Sequence, residues 1–118
     1  MASKLATINT LVAPNTASDS QTPITVSANT AFYVPVTGRS IIVGIQPTSA
    51  NATVTVTAGD GIAGVNDLTF SAASAKMTFI QLDTSAYEYI GPADADGDTH
   101  FIKITSDKAG TAVAVNPL

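Results

Sequence analysis

The chain has 118 residues, 45% of them hydrophobic and 12% charged, with a formal net charge of −4 and a pI near 4.4. That length suits one domain and carries enough apolar side chain for a core without staples. The absence of cysteine excludes disulfides and thiolate metal sites, and the five cations, Lys4, Arg39, Lys76, Lys103 and Lys108, are too scattered to track a phosphate backbone, so nucleic acid is not an expected partner.

Along residues 1–12, Leu5, Ile8 and Val12 fit a helical stripe, whereas Ala6, Ile8, Thr10 and Val12 alternate as a strand; the β-branched content favours the extended form. Lys4 followed by Leu5 to Ala13 has the outline of a signal peptide. Thr7, Asn9 and Thr10 interrupt it and no small-residue cleavage site follows, so it reads as mature protein. No stretch approaches the roughly 20 apolar residues of a membrane-spanning helix, and no membrane partner is expected. Residues 13–23 are polar and bounded by prolines, as in a loop or linker. Residues 1–23 are therefore expected to be an extended arm, and residues 24–118 the folded domain.

From Ile24 onward, strands are expected at 24–27, 31–36, 40–46, 52–58, 67–71, 76–82, 86–90, 100–105 and 111–116. Phe32, Val34 and Val36 share one face, and Pro35 marks an edge strand because it lacks a ladder donor. Ile41 to Ile45 is apolar on both faces, as in a central strand. In the run from Ala52 to Ala58, alternation puts Ala52, Val54, Val56 and Ala58 on one face and Thr53, Thr55 and Thr57 on the other. Ser71 to Met77 is the one tempting internal helix, but it is short, Ser-rich and flanked by strands, so no helix is expected there. Near the C-terminus, Ile102 and Ile104 face in with Phe101 and Lys103 out, and Val113 and Val115 face in with Ala112 and Ala114 opposite. Many short strands with turn residues between them predict a single-domain all-β sandwich, of jelly-roll or immunoglobulin-like type, preceded by the arm. Low charge with high β-propensity makes such a surface prone to association, which a lasting partner would relieve.

Little in the chain resembles catalytic machinery. Asp94, Asp96 and Asp98 are alternate carboxylates of the kind that converge on Ca²⁺, but Thr99 and Thr105 stand where a calcium loop requires Gly and Glu, so they read as a solvated turn and no metal or cofactor is expected. His100, the one histidine, has no nucleophile frame around any serine and reads as a residue at a strand end, sharing a face with Ile102 and Ile104. Gly59, Gly61 and Gly64 form a G-x-G-x-x-G pattern, yet a strand rather than a helix is expected after it, so it reads as a hairpin loop. Asn51-Ala52-Thr53 matches a glycosylation acceptor and reads as a turn. Tyr87 and Tyr89, on one strand face with Glu88 opposite, are the candidate platform for a carbohydrate or protein contact.

One layout runs through residues 24–116. A strand ends at Thr37-Gly38-Arg39, an apolar strand follows from Ser40 to Ile45, and an Asn/Ser turn leads into a Thr-Val strand at Ser49 to Val56. Tyr89-Ile90-Gly91-Pro92, an acidic turn at Asp96-Gly97, the strand Phe101 to Ile104 and a final alternating strand from Thr111 to Val115 complete it. This layout resembles the small decoration, or cement, proteins of tailed-bacteriophage heads. The resemblance implies a non-enzymatic virion protein, made in the host cytoplasm, that coats the outer surface of an icosahedral capsid. Its implied partner is the major capsid protein, bound as a homo-oligomer, a trimer by preference, or as copies ordered on the lattice. The arm is the element that would grip the shell, through Lys4, Leu5, Ile8, Leu11 and Val12. The alternative is a carbohydrate- or receptor-binding module of a tail fibre or surface adhesin.

Overall fold

A computed structural model describes residues 3–4, 9–10, 23–36, 40–59, 66–89 and 100–116. The strands are β1 Ser3–Lys4, β2 Asn9–Thr10, β3 Ile24–Val26, β4 Phe32–Pro35, β5 Ser40–Pro47, β6 Ala52–Val56, β7 Leu68–Ala72, β8 Thr78–Asp83, β9 Glu88–Tyr89, β10 Phe101–Ser106 and β11 Gly110–Asn116, with one short helix, α1 Thr84–Tyr87. They form two sheets, one ordered β1-β4-β10-β6-β7 with β9 also on β10, the other β2-β11-β5-β8 with β3 also on β11.

The pairing identifies the type of sandwich. β3 pairs with β11, β4 with β10, β5 with β8 and β6 with β7, each antiparallel. The chain therefore runs out through β3 to β6 and returns beside itself through β7, β8, β10 and β11. Folding that long antiparallel ribbon across two sheets is the double-sheet jelly roll. The two short N-terminal strands add to it in parallel, β1 beside β4 and β2 beside β11. Two pieces of the predicted arm thus lie along the sandwich, one on each sheet.

Alternation packs the core as expected. Ala52, Val54 and Val56 are buried while Thr53 is exposed and Thr55 half-buried. Phe32 and Val34 join them from β4, Ile102 and Ile104 from β10, Ile41, Val43 and Ile45 from β5, and Leu82 from β8. Each such side chain contributes roughly 1.5–3 kcal/mol when fully buried. β5 is central in its sheet, between β11 and β8. Pro35 is exposed, although β4 is flanked on both sides over Phe32 and Tyr33, by β1 and by β10.

Two expectations are corrected, those for β11 and for residues 86–90, and the outward Phe101 proves to be covered. In β11 it is Ala112 and Ala114 that face the core, while Val113 and Val115 point outward. The register explains this: Ala112 lies opposite Ile45, Ala114 opposite Val43 and Val113 opposite Gly44, so each small residue meets a larger one. Phe101 faces outward but is only 6% exposed, because its ring meets Tyr33 edge-on at 4.7 Å. Residues 86–90 are not one strand. Asp83 caps a single helical turn by accepting from the Ser85 N–H, and β9 begins only at Glu88.

Candidate functional site

The outer face of the second sheet is the surface that sets this molecule apart. The core takes Ile41, Val43 and Ile45 from β5, so Ile42, Gly44 and Gln46 point outward. Register places Phe79 and Val113 on either side of Gly44, and Gln81 and Val115 on either side of Ile42. The face is therefore built from Phe79, Ile42, Val113 and Val115 with amide side chains between them. Val113 is closely covered at 9% exposure, and Ile42 and Val115 are half-buried. Phe79 is 60% exposed, and is the large apolar side chain that the described surface leaves open.

Gly44 shapes this face. A Cβ there would stand 2.7 Å from Cε1 of Phe79 and 2.8 Å from Sδ of Met77. The two side chains lie across the glycine, filling the place of the missing one, as aromatic side chains do over glycine in sheets. Phe79 is thus held low against β5 with its other side open to solvent. Among the described residues, the register places no charged side chain between Phe79 and Val115, and Asp83 follows at the end of β8.

That end opens into a cleft of about 620 Å³ lined by Ser40, Gln81, Leu82, Asp83, Thr84 and Ser85. Its chemistry is that of hydroxyls, an amide and one carboxylate. The Ser85 hydroxyl, and then the Ser85 N–H, hold the Asp83 carboxyl below its ordinary value. The carboxylate is committed to capping α1.

His100 is exposed, with φ at 59°, and its Nδ1 lies 2.6 Å from Oε2 of Glu88. It does not share the buried face of Ile102 and Ile104, because the left-handed turn places it outside the strand. Gly59 is a close-approach glycine: its N–H donates to the Ala86 carbonyl at 3.2 Å, and a Cβ would collide with the backbone of Tyr87 and Glu88. The expected strand follows the glycine-rich stretch, at β7. Asn51 accepts from the Ser74 N–H through Oδ1 at 2.9 Å, as a turn asparagine does.

Among the residues predicted from sequence, Tyr87 ends α1 and packs against the core, so it does not form one strand face with Tyr89, which pairs with Phe101 in β9. Lys4 lies in β1 opposite Tyr33 of β4. Leu5, Ile8, Leu11 and Val12 lie outside the described residues, as do Asp94, Asp96 and Asp98. No group of three potential metal ligands occurs among the described residues, and no helix among them is long and apolar enough to cross a membrane. The signal for the apolar face was present in the alternation of Ile42, Gly44, Phe79 and Gln81. A strand apolar on both sides, such as β5, reads from sequence as doubly buried, which masks that signal. Compared with models of known protein families, with curated proteins and with solved structures, the chain finds no match.

Proposed function

We propose that this protein is a structural, non-enzymatic decoration protein that seats on the assembled protein lattice of a tailed-phage capsid. The observation that carries the reading is Phe79, 60% exposed on a sheet face that it shares with Ile42, Val113 and Val115. Such a patch on a sheet marks a surface suited to a protein partner. The jelly roll agrees with it as an analogy, since viral capsid and lectin domains both use that fold. The carbohydrate reading relied on a Tyr87 and Tyr89 platform, and Tyr87 is packed against the core.

The physical logic is that of mass action. A protein that binds only the assembled lattice stabilises the lattice over its parts. Modest contacts per copy add up when copies occupy repeated sites. Phe79 with Ile42 and Val115 supplies the apolar contact, and Lys4, Leu5, Ile8, Leu11 and Val12 supply a second grip from the N-terminal segment.

Co-sedimentation with undecorated capsids, before and after shell expansion, tests the reading. Saturable binding to expanded shells, lost in Phe79→Asp while the variant stays folded, is the expected result. A protein that binds neither form, and instead selects one sugar on a glycan array, would be a receptor-binding module.

A further inference from the structure

The sandwich has strand edges that differ in how they are protected. β1 and β2 are two residues long and β3 is three, and short edges are a common defence against strand pairing. β7 is longer, but its outward side chains, Thr69 and Ser71, are exposed hydroxyls. β8 is six residues long, pairs only with β5 among the described residues, and reads Thr-Phe-Ile-Gln-Leu-Asp. It has no proline and no lysine, and no charge before its last residue. Beside that edge stands the exposed ring of Phe79.

We infer that the edge of β8 is a self-pairing site, at which two copies of this chain join antiparallel, β8 to β8, about a two-fold axis through Ile80. The unpaired backbone groups of an edge strand favour another extended strand. A second copy is the occupant that the chemistry supports. The chain carries a net charge of −4, so two copies repel wherever their carboxylates meet. Along β8 they need not meet.

The register follows from the pleat. Residues directly opposite in an antiparallel pair point to the same face, so a two-fold axis must pass through a residue and not between two. An axis at Phe79 would pair only Thr78 to Ile80. An axis at Gln81 would set Phe79 against the partner's Asp83, a ring against a carboxylate. With the axis at Ile80, Thr78 faces the partner's Leu82 on the core side and Phe79 faces the partner's Gln81 on the outer side. The two Phe79 rings become diagonal neighbours, roughly 7–8 Å apart, within reach of aromatic contact. The two Asp83 carboxylates lie at opposite ends of the ribbon, roughly 20 Å apart at the strand rise per residue. The two sheets join through β8, with Phe79, Ile42 and Val115 of both copies on the shared outer face. Pairing and the capsid proposal share Phe79, so the wild-type protein, and not its Phe79 variants, separates the two.

Sedimentation equilibrium of the full chain should show a dimer. The doubly substituted Phe79→Lys/Gln81→Lys protein should be monomeric, as should Phe79→Glu/Gln81→Glu, and mixing the two should restore the dimer. Both substitutions are on the outer face, so a native circular dichroism spectrum and melt are expected for each. The chain has no cysteine, which allows a register test on a clean background. Under mild oxidation, Phe79→Cys mixed with Gln81→Cys should give a covalent dimer, and either alone much less. A monomer at every concentration, an oligomer indifferent to the charge pairs, or cross-linking of Phe79→Cys alone as efficient as the mixture would each overturn the inference. Capsid co-sedimentation of the wild-type protein reads the other proposal separately: a dimer that binds no capsid fails that one alone.

Discussion

The two outer faces of this sandwich share a backbone pattern and differ in almost everything their side chains do. The first sheet presents hydroxyls in cross-strand rows, Thr105 opposite Thr55, Thr55 opposite Thr69, and Thr53 opposite Ser71. The second presents Ile42, Val115 and Phe79. Each face also carries one outward phenylalanine, and the two have opposite fates. Phe101 is 6% exposed and Phe79 is 60% exposed. Phe101 lies on an inner strand, where Tyr33 closes over it edge-on. Phe79 lies over Gly44 on β8, which among the described residues has no strand on its other side to bring a second ring. Strand position, not residue type, decides here whether an outward aromatic is covered or left exposed.

Substituting the two phenylalanines breaks the comparison most directly. Phe101→Ala should cost about 3 kcal/mol in urea denaturation, as expected for a buried aromatic. If it costs no more than a surface substitution, Phe101 is not packed as described. Next in size is Asp107→Ala. Asp107 Oδ1 accepts from the Thr53 N–H at 2.8 Å, and its own N–H donates to the Thr53 carbonyl, so it anchors the start of β6 beneath the hydroxyl rows. Loss of that charged acceptor should cost about 1.5 kcal/mol in the same assay. Phe79→Ser should shift stability by less than about 0.5 kcal/mol, as at exposed positions generally, while removing partner binding. A large loss of stability there would make Phe79 a structural residue.

The smallest effect is electrostatic and belongs to the end of the second face. Hydrogen bonds from Ser85, first its hydroxyl and then its N–H, hold the Asp83 carboxyl below its ordinary value in the folded chain. Its contribution to stability is therefore present above the unfolded value and is lost as pH falls through the folded one. An NMR titration of the Asp83 carboxyl should find it below the usual aspartate range, and Ser85→Ala should bring it back up. A midpoint unchanged by that substitution would dissociate the shift from the cap.

Strand positions were legible in this chain because alternation is local. A run such as Ala52 to Val56 can bury only one of its two faces, whatever surrounds it. The end of β8 was legible only in hindsight: the expected strand at 86–90 gives way to the turn Thr84–Tyr87, whose one signal is Asp83 followed two residues later by Ser85. The facing of β11 was not legible, because valine and alanine both suit an inward position. Choosing between them required Ile45, Val43 and Gly44 to be opposite, on a strand some seventy residues earlier.

The sequence by itself determined an all-β domain, the places of most of its strands and the division of β6 into a buried and a hydroxyl face, since each depends on side-chain period and local backbone preference. Only the tertiary structure decided that the ribbon folds as a jelly roll, that Phe101 is covered and that Phe79 is left open at an edge. Those outcomes depend on which distant strands become neighbours, and that is settled by complementary packing across the whole domain.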